Sequence, residues 1–465
     1  MIRIFNQYVS LGLLLLGSVE ALLTFLALLC GAKLRFWGDP SQFSEYTALP
    51  AFGLETAVFV LAFQICFHYC DLYDHAVAGN RGGQAVALVE SLGAGCLLLG
   101  LTYYIFPMLL IGRGVLFIST FLLGGFVALS RSMFDRACAA AFEERVLILG
   151  AGELAERVAL EMLRRKDLAI ALAGFIHNAP GQPGREFLGR PILGGVEDLE
   201  KLTTQWQISR IIVAMEDRRG RLPVANLVKL RVQGVRIEDA HAVAAALTGR
   251  IWLDTVRPSW FVFSDGFDRS KANRIAKRSI DLAMGILGFL VTAPIMLAVA
   301  LAVRFDSKGP VIYRQTRVGL AGRNFDVLKF RSMRADAEAS GGIRWAAEDD
   351  PRVTRVGRFL RRYRLDELPQ LINVIRGHMS FVGPRPERPV FVEQLRKVIS
   401  YYDERNSVRP GITGWAQVQY HYGASVEDAA RKLEYDLFYL KNMSLLFDLA
   451  IVLKTVRIVV TARGR

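Results

Sequence analysis

Four long apolar runs open the chain, at about residues 8–30, 51–70, 85–106 and 108–130. Each is close to the roughly 20 residues that carry a helix across the hydrocarbon of a bilayer. Residues 1–135 therefore predict a bundle of four transmembrane helices. The first run follows one basic residue, Arg3, but it is too long for a signal-peptide core and has no small-x-small cleavage pattern, so it is expected to stay in the protein. Cys30 after Ala27-Leu28-Leu29 has some likeness to a lipoprotein cleavage site, but the further runs downstream favour a retained anchor. Lys33 and Arg35 argue mildly against placing the first loop outside. Arg131, Arg136 and the basic bulk beyond argue for a cytoplasmic C-terminal side.

From Arg145 the pattern becomes short β-branched runs separated by amphipathic segments. Strands are expected at 146–149, 172–176, 210–214 and 235–238, with helices near 153–165, 196–206 and 223–233. That alternation predicts a parallel sheet covered by helices, an α/β Rossmann-like middle domain over residues 143–265. Its first turn, Gly150-Ala151-Gly152-Glu153-Leu154-Ala155, is a G-x-G-x-x-A between strand and helix, where backbone N–H groups can meet a pyrophosphate, so Gly150 and Gly152 are a possible nucleotide turn. Against that use, the second strand runs into His177-Asn178 where a dinucleotide binder places an acid, and no Tyr has a Lys four positions later. A module kept for packing, assembly or regulation is the competing reading.

A third pattern begins after the polar connection 266–273. Residues 282–303 form a 22-residue stretch without a charge, long enough to span, but with Pro294 near its middle and with Lys271, Arg274, Lys277 and Arg278 before it and Arg304, Lys308 and Arg314 after it. Proline removes a backbone donor and breaks or kinks a helix, and basic flanks prefer the cytoplasmic face. Residues 279–304 are thus expected to form a re-entrant membrane helix that turns at Pro294; a kinked fifth span is the alternative.

Composition agrees with partial burial in lipid: 52% of residues are hydrophobic, 22% are charged, and the mean hydropathy is +0.28. The net charge of +14 is confined to the end of the chain, since residues 271–465 hold 33 basic against 19 acidic side chains while residues 1–270 are balanced. This segment requires an anionic partner. Nucleic acid is excluded as that partner, because the cations are interleaved with long apolar stretches rather than gathered on one soluble face. All five cysteines, Cys30, Cys66, Cys70, Cys96 and Cys138, lie on or beside the apolar runs with no zinc-site company, and read as small apolar residues.

The candidate chemistry is in the same basic segment. Arg361-Arg362-Tyr363-Arg364-Leu365-Asp366-Glu367-Leu368-Pro369-Gln370 sets two adjacent carboxylates among guanidiniums, near enough to reach one small cation or one phosphate. Read alone, Asp366 could equally be an N-cap before a helix started by Pro369. In Phe381-Val382-Gly383-Pro384-Arg385-Pro386-Glu387 an arginine between two prolines is presented on stiff backbone, which suits a phosphate. Lys329-Phe330-Arg331-Ser332-Met333 and Val408-Arg409-Pro410-Gly411-Ile412-Thr413-Gly414-Trp415 add further cations.

In this order, and with Lys277-Arg278-Ser279-Ile280-Asp281 and Tyr313-Arg314-Gln315, these segments resemble the bacterial sugar transferase family, the polyprenyl-phosphate phosphoglycosyl transferases. The resemblance covers about residues 277–457, and the four spans with a Rossmann-like middle look like that family's large members. It implies a mainly α catalytic domain over 271–465 that transfers a hexose 1-phosphate from a UDP-sugar to undecaprenyl (polyprenyl) phosphate and releases UMP, an early step of exopolysaccharide or O-antigen repeat synthesis. It implies that Asp366 is the nucleophile of an aspartyl phosphosugar intermediate and that Glu367, with Asp366, holds Mg²⁺. Lys329, Arg331, Arg361, Arg385, Glu387 and Arg409 are the implied substrate-binding residues. Further implications are a homodimer, and a multi-pass protein of the bacterial inner membrane with its catalytic domain on the cytoplasmic face. The C-terminal run 443–462 is expected to be an interfacial amphipathic helix, or else a core helix. Residues 420–436, including His421, Tyr422 and Ala424, are a candidate selectivity segment, with UDP-glucose or UDP-galactose as the expected donor. Two other classes account for parts of the chain: a membrane-anchored NAD-dependent nucleotide-sugar dehydratase or epimerase using the Gly150 turn, and a non-enzymatic nucleotide-sensing scaffold of a polysaccharide complex.

Overall fold

The computed structural model describes residues 2–4, 6–9, 11–70, 72–73, 81–141, 144–165, 168–176, 186–215, 222–255, 261, 266–267, 270–334, 352–420, 423 and 425–460. It divides into two compact units, Met1–Leu247 and Thr248–Arg465.

The first unit opens with a hairpin, β1 (Ile2–Ile4) and β2 (Gln7–Val9), turned at Asn6, whose φ of 56° is left-handed. Among the described residues five helices follow: α1 (Leu11–Arg35), α2 (Pro40–Ala48), α3 (Phe52–Tyr69), α4 (Arg81–Ile105) and α5 (Arg113–Ala141). The short α2 is polar and starts on Asp39, whose carboxylate accepts from the Ser41 and Gln42 N–H groups. The other four are long and apolar enough to cross a membrane. Two expected boundaries move. Tyr8 lies in β2 and not in the first helix, because the turn at Asn6 folds it back to pair with Arg3 of β1. Residues 108–112 precede the fourth long helix, because Pro107 ends α4 and starts a single 3-10 turn at Pro107–Leu109. The four pack through Leu28, Phe59, Phe63, Phe67, Leu99, Leu123 and Val127, all fully buried. Leu97, Phe117 and Phe121 face outward at 76–78% exposure, as lipid-facing side chains do. Within this apolar setting the Glu20 carboxylate pairs with Arg131 at 2.7 Å, and Arg131 also donates to the Leu72 carbonyl. Each charge has its partner, as burial in lipid requires.

Beyond these helices stands a mixed six-stranded sheet. Its parallel strands are β3 (Glu144–Leu149), β4 (Ile170–Ile176), β6 (Arg190–Gly194), β7 (Arg210–Val213) and β8 (Arg236–Asp239), in the spatial order β6-β4-β3-β7-β8. At one edge β5 (Glu186–Phe187) pairs antiparallel with β6. The helices α6 (Glu153–Arg164), α7 (Leu199–Gln205) and α8 (Val224–Val232) lie between its strands in the chain, and α9 (Ala240–Thr248) follows β8. The four strands and three helices expected from sequence all form. Strands β5 and β6, in a segment with Gly189 and Pro191, are not among the expected strands. Gly150, at φ +129°, turns the chain beside β7 so closely that a Cβ would lie 2.6 Å from the Ala214 carbonyl oxygen. Gly152 is the N-cap of α6. His177 and Asn178 lie outside the described residues. The N-terminal hairpin docks on this sheet: the Tyr8 hydroxyl donates to Glu238 at 2.8 Å, and its ring lies under the guanidinium of Arg210, itself fully buried between Glu144 and Glu238.

The second unit begins with α10 (Lys271–Asp306), a 36-residue helix and the fifth that is long and apolar enough to cross a membrane. It continues through Pro294, so the proline is interior to one helix and not the end of two. Proline has no N–H to give to the Leu290 carbonyl one turn back. Then come the hairpin β9 (Ile312–Val318) and β10 (Asn324–Phe330), α11 (Arg355–Arg362), α12 (Gln370–Ile375), β11 (Ser380–Val382), α13 (Pro389–Val398), β12 (Gly411–Thr413), α14 (Trp415–Gln419), α15 (Val426–Lys441) and α16 (Leu445–Val460). The unit is mainly helical. Along α16 Phe447 and Ile451 are buried while Leu446, Leu449 and Leu453 are exposed, so one face packs and an apolar face is left outward.

Candidate active site

The start of α10 supports the polar centre of this unit. Lys277 donates to the Val382 carbonyl and pairs with Asp448 at 2.5 Å. Arg278 donates to the Val374 and Ile375 carbonyls at the end of α12, and Asp281 accepts from the Ser380 hydroxyl and the Phe381 N–H. Sequence reasoning took Lys277 and Arg278 as orienting charges on a membrane helix. The available signal was Lys277 and Asp281 at i,i+4, which share a helix face.

The two proline-rich motifs meet as the parallel pair β11 and β12. The Gly383 N–H donates to the Thr413 carbonyl and the Gly411 N–H to the Pro384 carbonyl. A Cβ on Gly383 would sit 2.4 Å from the Arg409 carbonyl oxygen, so glycine is needed for the chains to approach. This contact fixes the segment that bears Arg385.

Asp366 and Glu367 lie in a 3-10 turn, Leu365–Glu367, which Arg364 enters with a left-handed φ of 57°. Backbone strain of this kind, about 1 kcal/mol for a residue with a Cβ, is found at constrained sites. The turn leads through Pro369 into α12, whose Asn373 side chain accepts from the Leu328 N–H and donates to the Asp326 carbonyl. Asn373 thereby binds β10 alongside and sets Lys329 opposite the acids.

Both carboxylates are buried, Asp366 at 7% and Glu367 at 9% exposure. One Glu367 oxygen takes Arg385 at 2.8 Å and Lys329 at 3.1 Å, with Arg364 at 3.9 Å. Burial alone would push the Glu367 carboxyl up; Arg385, Lys329 and Arg364 outweigh it and hold the group well below the usual carboxylate range. Asp366 goes the other way. Burial, and then the neighbouring Glu367 charge, push it above its ordinary value against the pull of Lys329, Arg361 and Arg364. Its Oδ1 has no hydrogen-bond partner among the described residues. Two adjacent acids are thus split into one carboxylate neutralised by cations and one with an unpartnered oxygen.

Among the cations expected at the site, Lys329 and Arg385 stand on Glu367, and Arg361, which donates to the Ser332 hydroxyl, acts on Asp366 through its charge. Arg331 differs from expectation: it is buried, and its guanidinium donates to the Ser307 and Pro310 carbonyls, closing the C-terminal end of α10. Arg409 donates to the Gly377 carbonyl. Glu387 is paired with Arg317 at 3.3 Å and lines a small pocket of mixed character with Leu395, Tyr402, Arg405, Ser425 and Lys432. That pocket lies on the segment expected to carry selectivity, of which His421, Tyr422 and Ala424 are outside the described residues. Arg405 and Asp436, missed from sequence, form a buried pair at 2.8 Å behind it.

The two carboxylates suit one ion. Among the described residues no group of three or more His, Cys, Asp or Glu side chains is placed to hold a metal, which disfavours a closed zinc site. Mg²⁺ needs only one or two carboxylates and takes its remaining ligands from water and phosphate oxygens, and the orphaned Asp366 Oδ1 beside Glu367 fits that demand.

Five membrane-length helices among the described residues, the last of them supporting an acidic pair ringed by cations, define a membrane-integral protein. The family model of bacterial sugar transferases matches residues 272–462. The chain is 41% identical over 238 residues to a UDP-N-acetylgalactosamine-undecaprenyl-phosphate N-acetylgalactosaminephosphotransferase of Aeromonas hydrophila, covering 51% of this chain and 55% of that one. It is 47% identical over 189 residues to a UDP-glucose:undecaprenyl-phosphate glucose-1-phosphate transferase of Escherichia coli, covering 40% of each. About half the length of these two relatives is matched. A shorter relative, an exopolysaccharide production protein of Rhizobium leguminosarum, is 40% identical over 190 residues, which are 94% of its length. The chain belongs to the bacterial sugar transferase family.

Proposed function

We propose that the protein transfers a hexose 1-phosphate from a UDP-sugar to undecaprenyl or another polyprenyl phosphate, releasing UMP. The observation that carries this reading is the buried Asp366 carboxylate with an unpartnered oxygen beside Glu367, whose charge Arg385 and Lys329 already balance. In the first half-reaction an Asp366 oxygen attacks the phosphorus next to the sugar, and the bond from that phosphorus to the bridging oxygen breaks, the electron pair leaving with UMP. In the second, a phosphate oxygen of the polyprenyl phosphate attacks the same phosphorus and expels the carboxylate. Arg361, Arg364 and Arg385 face the negative charge that spreads over the diphosphate. Mg²⁺ on Asp366 and Glu367 would supply further neutralisation of that charge. The raised Asp366 carboxyl must be ionised to attack, so turnover falls as pH drops through its pKa.

The printed activities of the Aeromonas and Escherichia relatives support a UDP-sugar donor and an undecaprenyl phosphate acceptor. We place the enzyme in the bacterial inner membrane with the site on the cytoplasmic face, where nucleotide sugars are found, as a homodimer. The long helix carrying Pro294 is read as re-entrant, since basic residues flank both its ends. Residues 143–265 are read as Rossmann-like. The central first strand, with crossovers running outward on both sides of it, supports that reading.

The test is UMP release by the detergent-purified protein given undecaprenyl phosphate, Mg²⁺ and a panel of UDP-sugars, beside Asp366→Asn. Lipid-dependent UMP from one donor, abolished in the variant, is expected. UMP release that survives Asp366→Asn would remove the nucleophile from this account.

A further inference from the structure

Residues 249–253 precede the stretch matched by the family model, which starts at residue 272, yet they belong to the same compact unit as the acidic turn. Gly249, with a left-handed φ of 68°, ends α9, and the residues after it lie against two elements of the second unit. The Gly249 carbonyl accepts the indole N–H of the buried Trp415 at 2.7 Å. The Ile251 N–H donates to the Glu434 main-chain carbonyl, the Leu253 N–H donates to the Glu434 carboxylate, and Arg250 pairs with that carboxylate at 2.7 Å. The side chains of this pair are only 15% and 10% exposed, and the Arg250 guanidinium also lies over the Trp252 ring. Farther on, the Phe267 N–H donates to the Lys441 carbonyl, and a Cβ on Gly266 would sit 2.6 Å from that oxygen. One helix, α15, is thus gripped near its middle and at its last residue by the chain that leads into α10.

The other face of α15 gives the grip a consequence. Residues two apart on a helix point about 200° from each other, so Lys432 and Asp436 stand opposite Glu434. Asp436 pairs with Arg405, which donates to the Arg385 carbonyl, and Lys432 donates to the Gly423 carbonyl beside the small pocket that holds Glu387. Trp415 offers a second route. It opens α14 directly after β12, and β12 pairs with β11, the strand that runs through Gly383 to Arg385. The two elements touched by residues 249–253 are therefore the two that hold the Arg385 segment from behind. Glu434 also has Arg431 at 3.4 Å, but Arg431 is on α15 itself and ties the helix to nothing else.

We propose that residues 249–253 form a strap that positions the Arg385 segment through α15, with Arg250 and Glu434 as its positioning residues. Neither residue touches the substrate. Together they press α15 onto Arg405, and Arg405 fixes the main chain from which the Arg385 guanidinium reaches Glu367. The role assigned to Arg385 in the chemistry rests on the transferase reading; the strap itself does not.

The experiment uses the full chain in detergent and compares Arg250→Met, which keeps the stem and removes the charge, with Arg250→Lys, which keeps the charge. Amide hydrogen exchange is read first, without turnover. In Arg250→Met, exchange is expected to quicken in α15 and in the 3-10 turn Tyr402–Ser407, far from residue 250 in the chain, and to stay as in the parent in the β9–β10 hairpin; Arg250→Lys is expected to resemble the parent. Exchange unchanged at 402–407, or raised evenly through the whole unit, overturns the proposal, since the first denies the coupling and the second is plain loss of stability. In turnover, Arg250→Met is expected to lower kcat/KM for the UDP-sugar donor about tenfold, with the KM for polyprenyl phosphate within about twofold and Arg250→Lys close to the parent. Unchanged donor kinetics in a variant whose α15 has loosened, or a change confined to polyprenyl phosphate, overturns the positioning role. Absent UMP release by the parent itself marks failure of the transferase reading, and the exchange pattern then decides the strap by itself.

Discussion

Replacing Arg405 with methionine tests whether the Arg385 segment is held from behind. Arg405 is buried at 6% exposure; it donates to the Tyr402 hydroxyl and the Arg385 carbonyl and lies 2.8 Å from Asp436, itself 1% exposed. Methionine retains much of the volume and removes the charge. Two acceptors lose their donor, at a cost of about 1–3 kcal/mol. Asp436 adds a pH-dependent part. Burial pushes its carboxyl up to about 6 against the pull of Arg405, and without Arg405 it rises further. A carboxyl with a raised folded pKa binds its proton more tightly in the native state than in the unfolded chain. It therefore costs stability as pH climbs from the unfolded value toward the folded one. Below about pH 6 Asp436 is protonated in both proteins and the gap between them is the lost hydrogen bonds alone. Above it the variant loses about 1.4 kcal/mol more per pH unit than the parent, up to its own pKa. At pH 7.5 the two parts sum to about 3–5 kcal/mol, the usual cost of breaking one side of a buried ion pair, or about 6–20 °C in Tm for a unit of this size. Thermal unfolding in detergent, followed by tryptophan fluorescence at pH 5.5 and 7.5, measures the gap. Arg405→Met/Asp436→Asn should recover much of the loss at pH 7.5. A gap equal at the two pH values, with the double variant no better than the single, would refute the coupling.

Two further outcomes follow from the site itself. Glu367→Gln removes the like charge beside Asp366 and frees Arg385 and Lys329 to act on it, so the acidic limb of the single-turnover pH profile should move to lower pH even as the maximal rate falls; a limb that stays in place or moves up contradicts the assignment. Gly383→Ala forces a Cβ to 2.4 Å from the Arg409 carbonyl and should destabilise the β11–β12 pair by about 2 kcal/mol or more, measured as a lower Tm, while Gly322→Ala, at a glycine with open space around it, meets no neighbour and incurs only the strain of its positive φ.

The elements that could be read from sequence were those whose cause is local. A run of 18 or more apolar residues is a membrane-length helix for its own reasons, and the alternation after Arg145 yields strand and helix without reference to a partner. Pro107 and Asn6, single residues able to end or turn a segment, moved the expected boundaries. The site divides in the same way. Asp366, Glu367, Lys329 and Arg385 came from local motifs, and the structure gathers them within salt-bridge distance or adjacent on the chain. Arg331 carries the same charge in the same motif, but its role is decided by the carbonyls that α10 happens to end beside. Arg405 with Asp436, and Asn373 with β10, join residues far apart in the chain, and no spacing rule marks such pairs.

The hairpin at the very start of the chain has a topological meaning. Tyr8 touches Arg210 and Glu238 of the sheet, and between them in the chain lie the four membrane-length helices described in the first unit. Two segments in contact share one side of a bilayer, so the chain between Val9 and Glu144 must cross it an even number of times, and the loss of any single span would tear the hairpin from its seat. The order of synthesis adds a delay. The hairpin is made before the four helices, but the sheet that receives it is complete only after Asp239. Strands β1 and β2 therefore wait through the synthesis of all four helices before they can close the unit, like a latch cut before its door.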